Sequence, residues 1–204
     1  IVTVGGGIEL VARLVGQGLT ESLGQPVVVE TLSAAGGSIA HETVQRAAPD
    51  GYTLMMSVAS THITNGFLSK NSRFDPVNGY TPIGRVAESI LLIAAEVSQP
   101  YNNMVELIAY AKKNPGKISH GTTGIGSAHH FSAEAISALT GINWVHVPYK
   151  AGPQVMVDMT GGQIQVGWAI YATLVPFQKS GKTKILGING AKRFALYPNI
   201  PTIS

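Results

Sequence analysis

The sequence predicts an α/β protein of two lobes, each a mostly parallel sheet flanked by helices. Three observations predict it. Short apolar runs of strand character alternate with amphipathic helical stretches along the chain, a pattern that lays parallel strands under covering helices. A glycine-rich turn from strand into helix occurs twice, at Gly5, Gly6 and Gly7 and again at Gly121, Gly124 and Gly126. The charge also changes sign along the chain. Residues 1–97 carry 5 basic and 8 acidic side chains and residues 98–204 carry 9 and 3, a net of −3 against +6.

Composition bounds the rest. With 204 residues, 45% hydrophobic and 12% charged, the chain can bury a substantial core. No apolar run approaches the roughly 20 residues of a membrane span. The absence of cysteine removes structural disulfides and thiolate-bound metals. The basic residues of the second part are scattered rather than gathered into a stripe, which argues against nucleic acid as a partner. Ile1 already stands in strand-like sequence and YPNIPTIS ends as abruptly, so further natural residues, a signal peptide among them, are expected outside this sequence.

In chain order, IVTV reads as the first strand, and the helix after Gly7 places Val11, Leu14, Val15 and Leu19 on one face. Gly24 is a natural C-cap, and QPVVVE reads as a short buried strand. A strand, three glycines, a helix and Glu30 closing the next strand outline a dinucleotide-binding unit. The third glycine of that fingerprint falls at Leu10, so a nucleotide-dependent enzyme with Glu30 on a ribose is the alternative rather than the main reading. Ser38 is placed to cap the helix IAHETVQRAA, and Pro49-Asp50-Gly51 turns the chain into the strand YTLMMSV. Ser57, Ser60 and Thr61 follow the carboxyl end of that strand, where parallel sheets bind ligands. After the turn-rich FDPVNGYTPIG, the apolar run SILLIAAE closes the first lobe.

The second lobe opens with Asn103 capping MVELIAYAKKN. Glu106 sits at the third helical position and Lys112 and Lys113 near the end, as the helix dipole favours. Pro115-Gly116 stops that helix. Lys117 to Tyr149 then gives strand, glycine loop, helix and strand. A helix start carries about half a positive charge and free N–H groups, so this loop forms an anion site without lysine. Gly126 gives close backbone approach, and Thr122, Thr123 and Ser127 add hydroxyls. The loop has the GxxxxG spacing of a P-loop but Ser127 where the lysine belongs, which argues against an NTPase. His129 and His130 point about 100° apart on a helix and cannot share a metal, which leaves one of them, taken as His129, for the pocket. The helix PQVMVDM, the strand QIQVGWA, a helix from Tyr171 and the strand KILGI follow. GAKRFALYPNIPT reads as a return crossing, so the lobes are 1–97 plus 191–204, and 98–190.

Catalytic signatures are missing. No serine lies in a GxSxG elbow, Asp50 and Asp75 are turn residues beside Gly or Pro, and Asp158 sits alone in a helix. A binding module needing no metal or cofactor is favoured over an enzyme.

The strings GGGIELVARLVGQGLTESLGQPVVVE, AAGGSIAHETVQRAAPDGYTL, PGKISHGTTGIGSAHHFSAE and HVPYKAGPQVMVDMTGGQIQV resemble the Bug-type solute receptors of tripartite tricarboxylate transporters. The resemblance covers almost the whole chain, and FDPVNGYTPIG and AKRFALYPNIPT fit it in order. It implies a type II periplasmic-binding-protein clamp, periplasmic and monomeric, that closes on a small organic carboxylate and delivers it to a membrane permease. It also implies that a C-terminal segment beyond Ser204 completes the first lobe. By position, the family's first gripping loop falls on Gly5, Gly6, Gly7 and Ile8, beside Glu9, and its second on Thr122, Thr123, Gly126 and Ser127. Ile8-Glu9 replaces the family's usual Thr-Asp, Val4 a common proline, and Ala169 the aspartate that often follows the aromatic position held here by Trp168. Without that aspartate an ammonium group lacks a partner. With Tyr149, Trp168 and Ile170 near it, the cleft wall then suits a carboxylate with an apolar body, such as terephthalate or an aliphatic diacid. Packing of Trp168 in the core beneath the sheet is equally open at this point.

Overall fold

The computed structural model describes residues 1–3, 7–32, 37–64 and 73–203, and it divides into two compact units, Ile1–Ala87 and Glu88–Ser204.

In the first unit, Val2 is the hub. It bridges Thr31 on one side and Met56 on the other, both in parallel. Its N–H donates 2.8 Å to Glu30 O, Leu32 N donates 2.9 Å to its carbonyl, and Met56 N donates 2.9 Å to Ile1 O. The expected strands here are therefore short bridges between extended segments. QPVVVE is also one-sided rather than buried: Val27 and Val29 turn inward while Val28 is 75% exposed. Helix α1 (Gly7–Leu23) packs on this segment. A Cβ built at Gly16 would stand 3.1 Å from Val29 Cγ2 and 3.6 Å from Val27 Cγ1, so the small residues Ala12 and Gly16 set the approach. The buried stripe is thus turned from the expected one, and Leu14 faces solvent. Gly24 ends α1 at φ 66°, as expected. Helix α2 (Ser38–Arg46) begins one residue earlier than the sequence suggests. Its N-cap is Gly37 at φ 91°, where an added Cβ would lie 3.1 Å from Thr3 Cβ, so glycine holds the cap position and Ser38 opens the helix. Asp50 accepts from Tyr52 N at 3.0 Å in the predicted turn. A single π-helical turn, Ser60–Thr64, follows.

The second unit is a five-stranded sheet covered on both faces. Its elements are β1 (Leu91–Glu96), α3 (Met104–Lys113), β2 (Ser119–Thr122), α4 (Ala128–Thr140), β3 (Val145–Pro148), α5 (Gly152–Thr160), β4 (Val166–Ile170), α6 (Tyr171–Lys179) and β5 (Thr183–Asn189). The strand order is β3-β2-β4-β1-β5. β2 runs parallel to β3 and β4, while β1 is antiparallel to β4 and β5, so four strands run together and β1 opposes them. Asn103 caps α3 as predicted: its side chain accepts from Glu106 N at 2.9 Å and donates back to the Glu106 carboxylate at 2.8 Å.

Alternation along the strands builds two apolar layers. Ile93, Ala95, Val166, Trp168 and Leu186 pack with Leu107 of α3 and Ala133 and Ile136 of α4. Leu92, Ala94, Ala169, Ile185 and Ile188 pack on the other side with Val155, Met156 and Met159 of α5 and Leu174 of α6.

Two boundaries differ from the sequence reading. β1 was expected to close the first lobe, but its middle four residues are buried on both faces, and it pairs with β4 and β5. The units divide at Ala87–Glu88 accordingly. Residues 191–203, expected to return to the first lobe, stay with the second unit. Ile188 N donates to Pro201 O and Ile203 N to Ile188 O, while Phe194, Tyr197 and Ile200 cover one apolar layer and Ile203 the other.

That seam is tight at Gly187, where an added Cβ would run into Ile203 Cγ2 and lie 2.9 Å from Met104 Cγ. Gly187→Ala is therefore expected to lower the urea-unfolding stability of the second unit by about 1–3 kcal/mol. Gly190→Ala, whose added Cβ would meet only Lys192 O at 3.7 Å, serves as the unpacked control; equal stability of the Gly187 variant and the parent would remove the seam.

Candidate functional site

The loop between β2 and α4 is built from its own hydrogen bonds. Gly124 and Gly126 hold φ of 107° and 80°, conformations that a side chain disfavours. Ser127 caps α4: its Oγ accepts from His130 N at 3.2 Å and donates to Gly124 O at 2.7 Å. Thr122 Oγ1 accepts from Gly124 N at 3.2 Å and pairs with His146 Nε2 at 2.7 Å. Thr123 Oγ1 pairs with His129 Nδ1 at 2.8 Å. Gly126 N donates to His130 Nδ1 at 3.3 Å, so this imidazole carries its hydrogen on Nε2, which stands 3.7 Å from the Glu134 carboxylate. The four predicted residues Thr122, Thr123, Gly126 and Ser127 thus lie in one short loop at the carboxyl end of β2, with His129 attached to it.

Gly121 just before this loop serves packing. An added Cβ would lie 2.5 Å from Ile164 Cδ1 and 2.9 Å from both Tyr149 Cε2 and Val155 Cγ1. Tyr149 N donates 2.9 Å to Thr122 O, and its hydroxyl donates 2.8 Å to Asp158, with burial pushing the phenol up to about 12. Trp168 is wholly buried in one apolar layer and Ala169 in the other, while Ile170 at the strand end is half-buried. The question the sequence leaves open for Trp168 is answered by packing in the core.

Beside the loop runs a column of rings: Trp144 against His120 at 4.4 Å, His120 against His146 at 5.1 Å, and His146 against His130 at 4.5 Å. His120 is fully buried with both ring nitrogens unpaired, and burial holds it down to about 3. His129, 6% exposed, is held at about 4 by burial, and its Nε2 lacks a partner. The sequence reading missed His120 and His146. Their positions in ISHG and WVHV show strand alternation, but nothing local says that two strands and a helix bring three imidazoles together. Among the described residues no cluster of three His, Asp or Glu could hold a metal ion, and no helix is long and apolar enough to cross a membrane.

In the first unit, Gly5 and Gly6 lie outside the described residues, and Gly7, Ile8 and Glu9 open α1. Glu9 pairs with Arg13 at 2.6 Å, which lowers its carboxyl below the ordinary value. Ser57 and Thr61 meet at 2.9 Å and share a hydroxyl cluster with Thr3, at 3.4 and 3.3 Å. Ser60 begins the π-helical turn. His41, unforeseen from the sequence, organises this cluster. Its Nδ1 faces the Gly37 carbonyl at 2.8 Å and must be the donor, which leaves Nε2 to accept from Ser57 Oγ at 3.3 Å. Its ring stacks on Phe74 at 4.4 Å, and burial lowers its pKa.

Comparison with known proteins assigns the family. The sequence pattern of TctC, the tripartite tricarboxylate transporter family receptor, matches residues 11–204. The chain belongs to this receptor family. A relative from Bordetella pertussis, a UPF0065 protein, is 33% identical over 201 residues, covering 97% of this chain and 61% of that protein. This chain thus spans about three fifths of the length of the curated relatives it matches. The periplasmic binding protein BugD is similar in structure at a TM-score of 0.86 and 34% identity, over 99% of this chain and 68% of BugD. MatC from Rhodopseudomonas palustris, solved with bound malate, matches at 0.85 and 27% over 98% of this chain and 69% of its own. A further structure, R. palustris Rpa4515 with adipate, matches at 0.90 and 28% over 99% and 69%. The mixed α/β fold with a mostly parallel sheet is the fold of these receptors.

The buried imidazoles give the second unit a pH signature. His120 and His129 titrate far below the roughly 6.5 of an unfolded imidazole, so the unfolded chain binds more protons once the pH drops under that value. Their contribution is present above about 6.5 and is lost as pH falls through about 4 and about 3. Urea titrations at pH 7, 5.5 and 4.5 are expected to show this decline. His120→Phe is expected to shallow it and to gain about 1 kcal/mol at pH 7, since no buried nitrogen is left unpaired; an unchanged acid slope would refute the assignment.

Proposed function

We propose that this chain is part of a periplasmic solute receptor that captures a small organic dicarboxylate and passes it to the permease of a tripartite transporter, acting as a monomer and without cofactor. The observation that carries the reading is the loop Thr122–Ser127. It gathers glycine amides, three hydroxyls and a capped helix start at the carboxyl end of a parallel strand, in a family whose members have been solved with adipate and malate. The helix start favours negative charge, and hydroxyls and amides direct it without a cation. In the first unit this reading keeps Gly5, Gly6, Gly7 and Ile8, with Ser57, Ser60 and Thr61, as carboxylate-binding residues.

The finer preference is for a diacid whose body carries no ammonium. A desolvated ammonium needs an anion, and in each unit the acid beside the candidate residues is committed: Asp158 to the Tyr149 hydroxyl in the second and Glu9 to Arg13 in the first. Ala169 supplies none and sits inside an apolar layer. Aliphatic diacids such as adipate fit this best, with aromatic diacids such as terephthalate in the same class.

Calorimetric titration with adipate, malate, terephthalate, citrate, aspartate and glutamate tests the reading. Adipate or another ammonium-free diacid is expected to bind most tightly, and tightest binding by an amino acid would overturn the preference. Gly126→Val places a β-branched side chain at φ 80°. It is expected to weaken diacid binding at least about 100-fold, by blocking close approach of the backbone. Parent-like affinity in a folded variant would move the site elsewhere.

A further inference from the structure

The Gly126 amide, which the carboxylate reading assigns to the ligand, is already donated to a titratable side chain. Its N–H points at His130 Nδ1 at 3.3 Å, one helical turn further on. A lone pair on Nδ1 is required for that bond, so it exists only with neutral imidazole. We propose that His130 is a proton-controlled positioning residue: neutral, it holds the Gly126 amide for itself, and protonated, it releases that amide to a ligand carboxylate. The inference rests on the carboxylate-receptor reading above and adds a regulation to the same loop.

The proton balance is simple. Solvent supplies one proton to Nδ1, the Gly126 N–H···Nδ1 bond is lost, and the freed N–H donates to a carboxylate oxygen. The new cation, facing that N–H from 3.3 Å, turns aside to let the oxygen in and then attracts the same oxygen. Binding of an anion therefore takes up a proton, and affinity rises as pH falls through the range where imidazoles change charge.

The groups facing His130 set how sharply this happens. Glu134, on the same helix, stands 3.7 Å from Nε2. From β3, His146 stacks on the ring at 4.5 Å, and His120 on β2 stacks behind His146 at 5.1 Å. Burial lowers the pKa of both, that of His120 to about 3. His146 Nε2 is engaged by Thr122 Oγ1, which itself accepts from Gly124 N. Ring, loop and amide are thus mechanically continuous, while the neighbouring His129 bonds Thr123 through Nδ1.

Two measurements decide it. The first needs no ligand. In 1H–15N spectra of the protein alone, the Gly126 amide proton is expected to move upfield as pH falls from 8 to 6, tracking the His130 ring protons. In His130→Gln, which can accept the amide but does not titrate, it is expected to stay fixed. A Gly126 resonance that ignores the His130 titration overturns the proposal whatever the ligand proves to be. The second is calorimetry with adipate at pH 8, 7 and 6, a range in which carboxylates stay largely ionised, in phosphate and in Tris. The parent is expected to gain about tenfold in affinity and to take up a proton, and His130→Gln to show neither. A flat profile in the parent, or a parent-like profile in His130→Gln, overturns the proposal. No binding of adipate, malate or terephthalate at any pH sinks the receptor reading instead, and the amide titration still judges the hydrogen bond by itself.

Discussion

The second unit depends on one strand running the wrong way. β1 is the only described strand of the sheet opposed to its neighbours, and its four central residues, Leu92 to Ala95, have no exposed surface. Because it pairs on both edges and packs on both faces, it cannot belong to a separate lobe, and it fixes β4 beside it in register. That register, Ile93 opposite Trp168 and Leu92 opposite Ala169, sends Trp168 into one apolar layer and Ala169 into the other. β4 in turn aligns β2, with His120 opposite Val166 and Gly121 opposite Gly167, so the end of β2 and its loop are placed by a chain of pairings that begins at β1.

Much of this was legible in the sequence. The glycine loop, the Ser127 cap, the Asn103–Glu106 capping box and the Gly24 helix end were readable because each is decided by residues within one turn of the chain. What failed was decided by partners far away. SILLIAAE looks the same whether it ends one lobe or centres another, since a doubly buried strand has no periodicity to point with. The helix face at Leu14 was misplaced because Ala12 and Gly16 look indifferent in sequence, yet only small residues admit Val27 and Val29 so closely. Trp168 could not be assigned to core or cleft until its pairing with Ile93 was known. His41 was invisible for the same reason: its two nitrogens meet Gly37, four residues away, and Ser57, sixteen away, and only the second contact gives it a role.

At His41 and His130 an imidazole sets the direction of a hydrogen bond. Burial keeps His41, His120 and His129 neutral, and a neutral imidazole donates from one nitrogen and accepts at the other. At His41 this polarity is set by the Gly37 carbonyl, which forces Ser57 to donate inward. At His130 it is set by the Gly126 amide, from the opposite side. The two units reach the same end by different means, each tying a hydroxyl or amide at a strand terminus to an imidazole on a helix.

Arginine would give a carboxylate a stronger and simpler partner, and its absence from these loops has a physical consequence. Arg13 and Arg46 are paired with Glu9 and Glu42 one turn away on their own helices, and Arg193 donates to the Pro198 carbonyl. Arg73 and Arg85 are exposed. A guanidinium is permanently charged and holds an anion at every pH. Amides and hydroxyls hold it only where water is excluded and the donors are already aligned, because each is weak in water and strong when preorganised. A receptor has to release what it captures. Under the dicarboxylate reading, a grip made of neutral donors loosens as soon as the loop is wetted or Gly126 turns back to His130, with no ion pair to break.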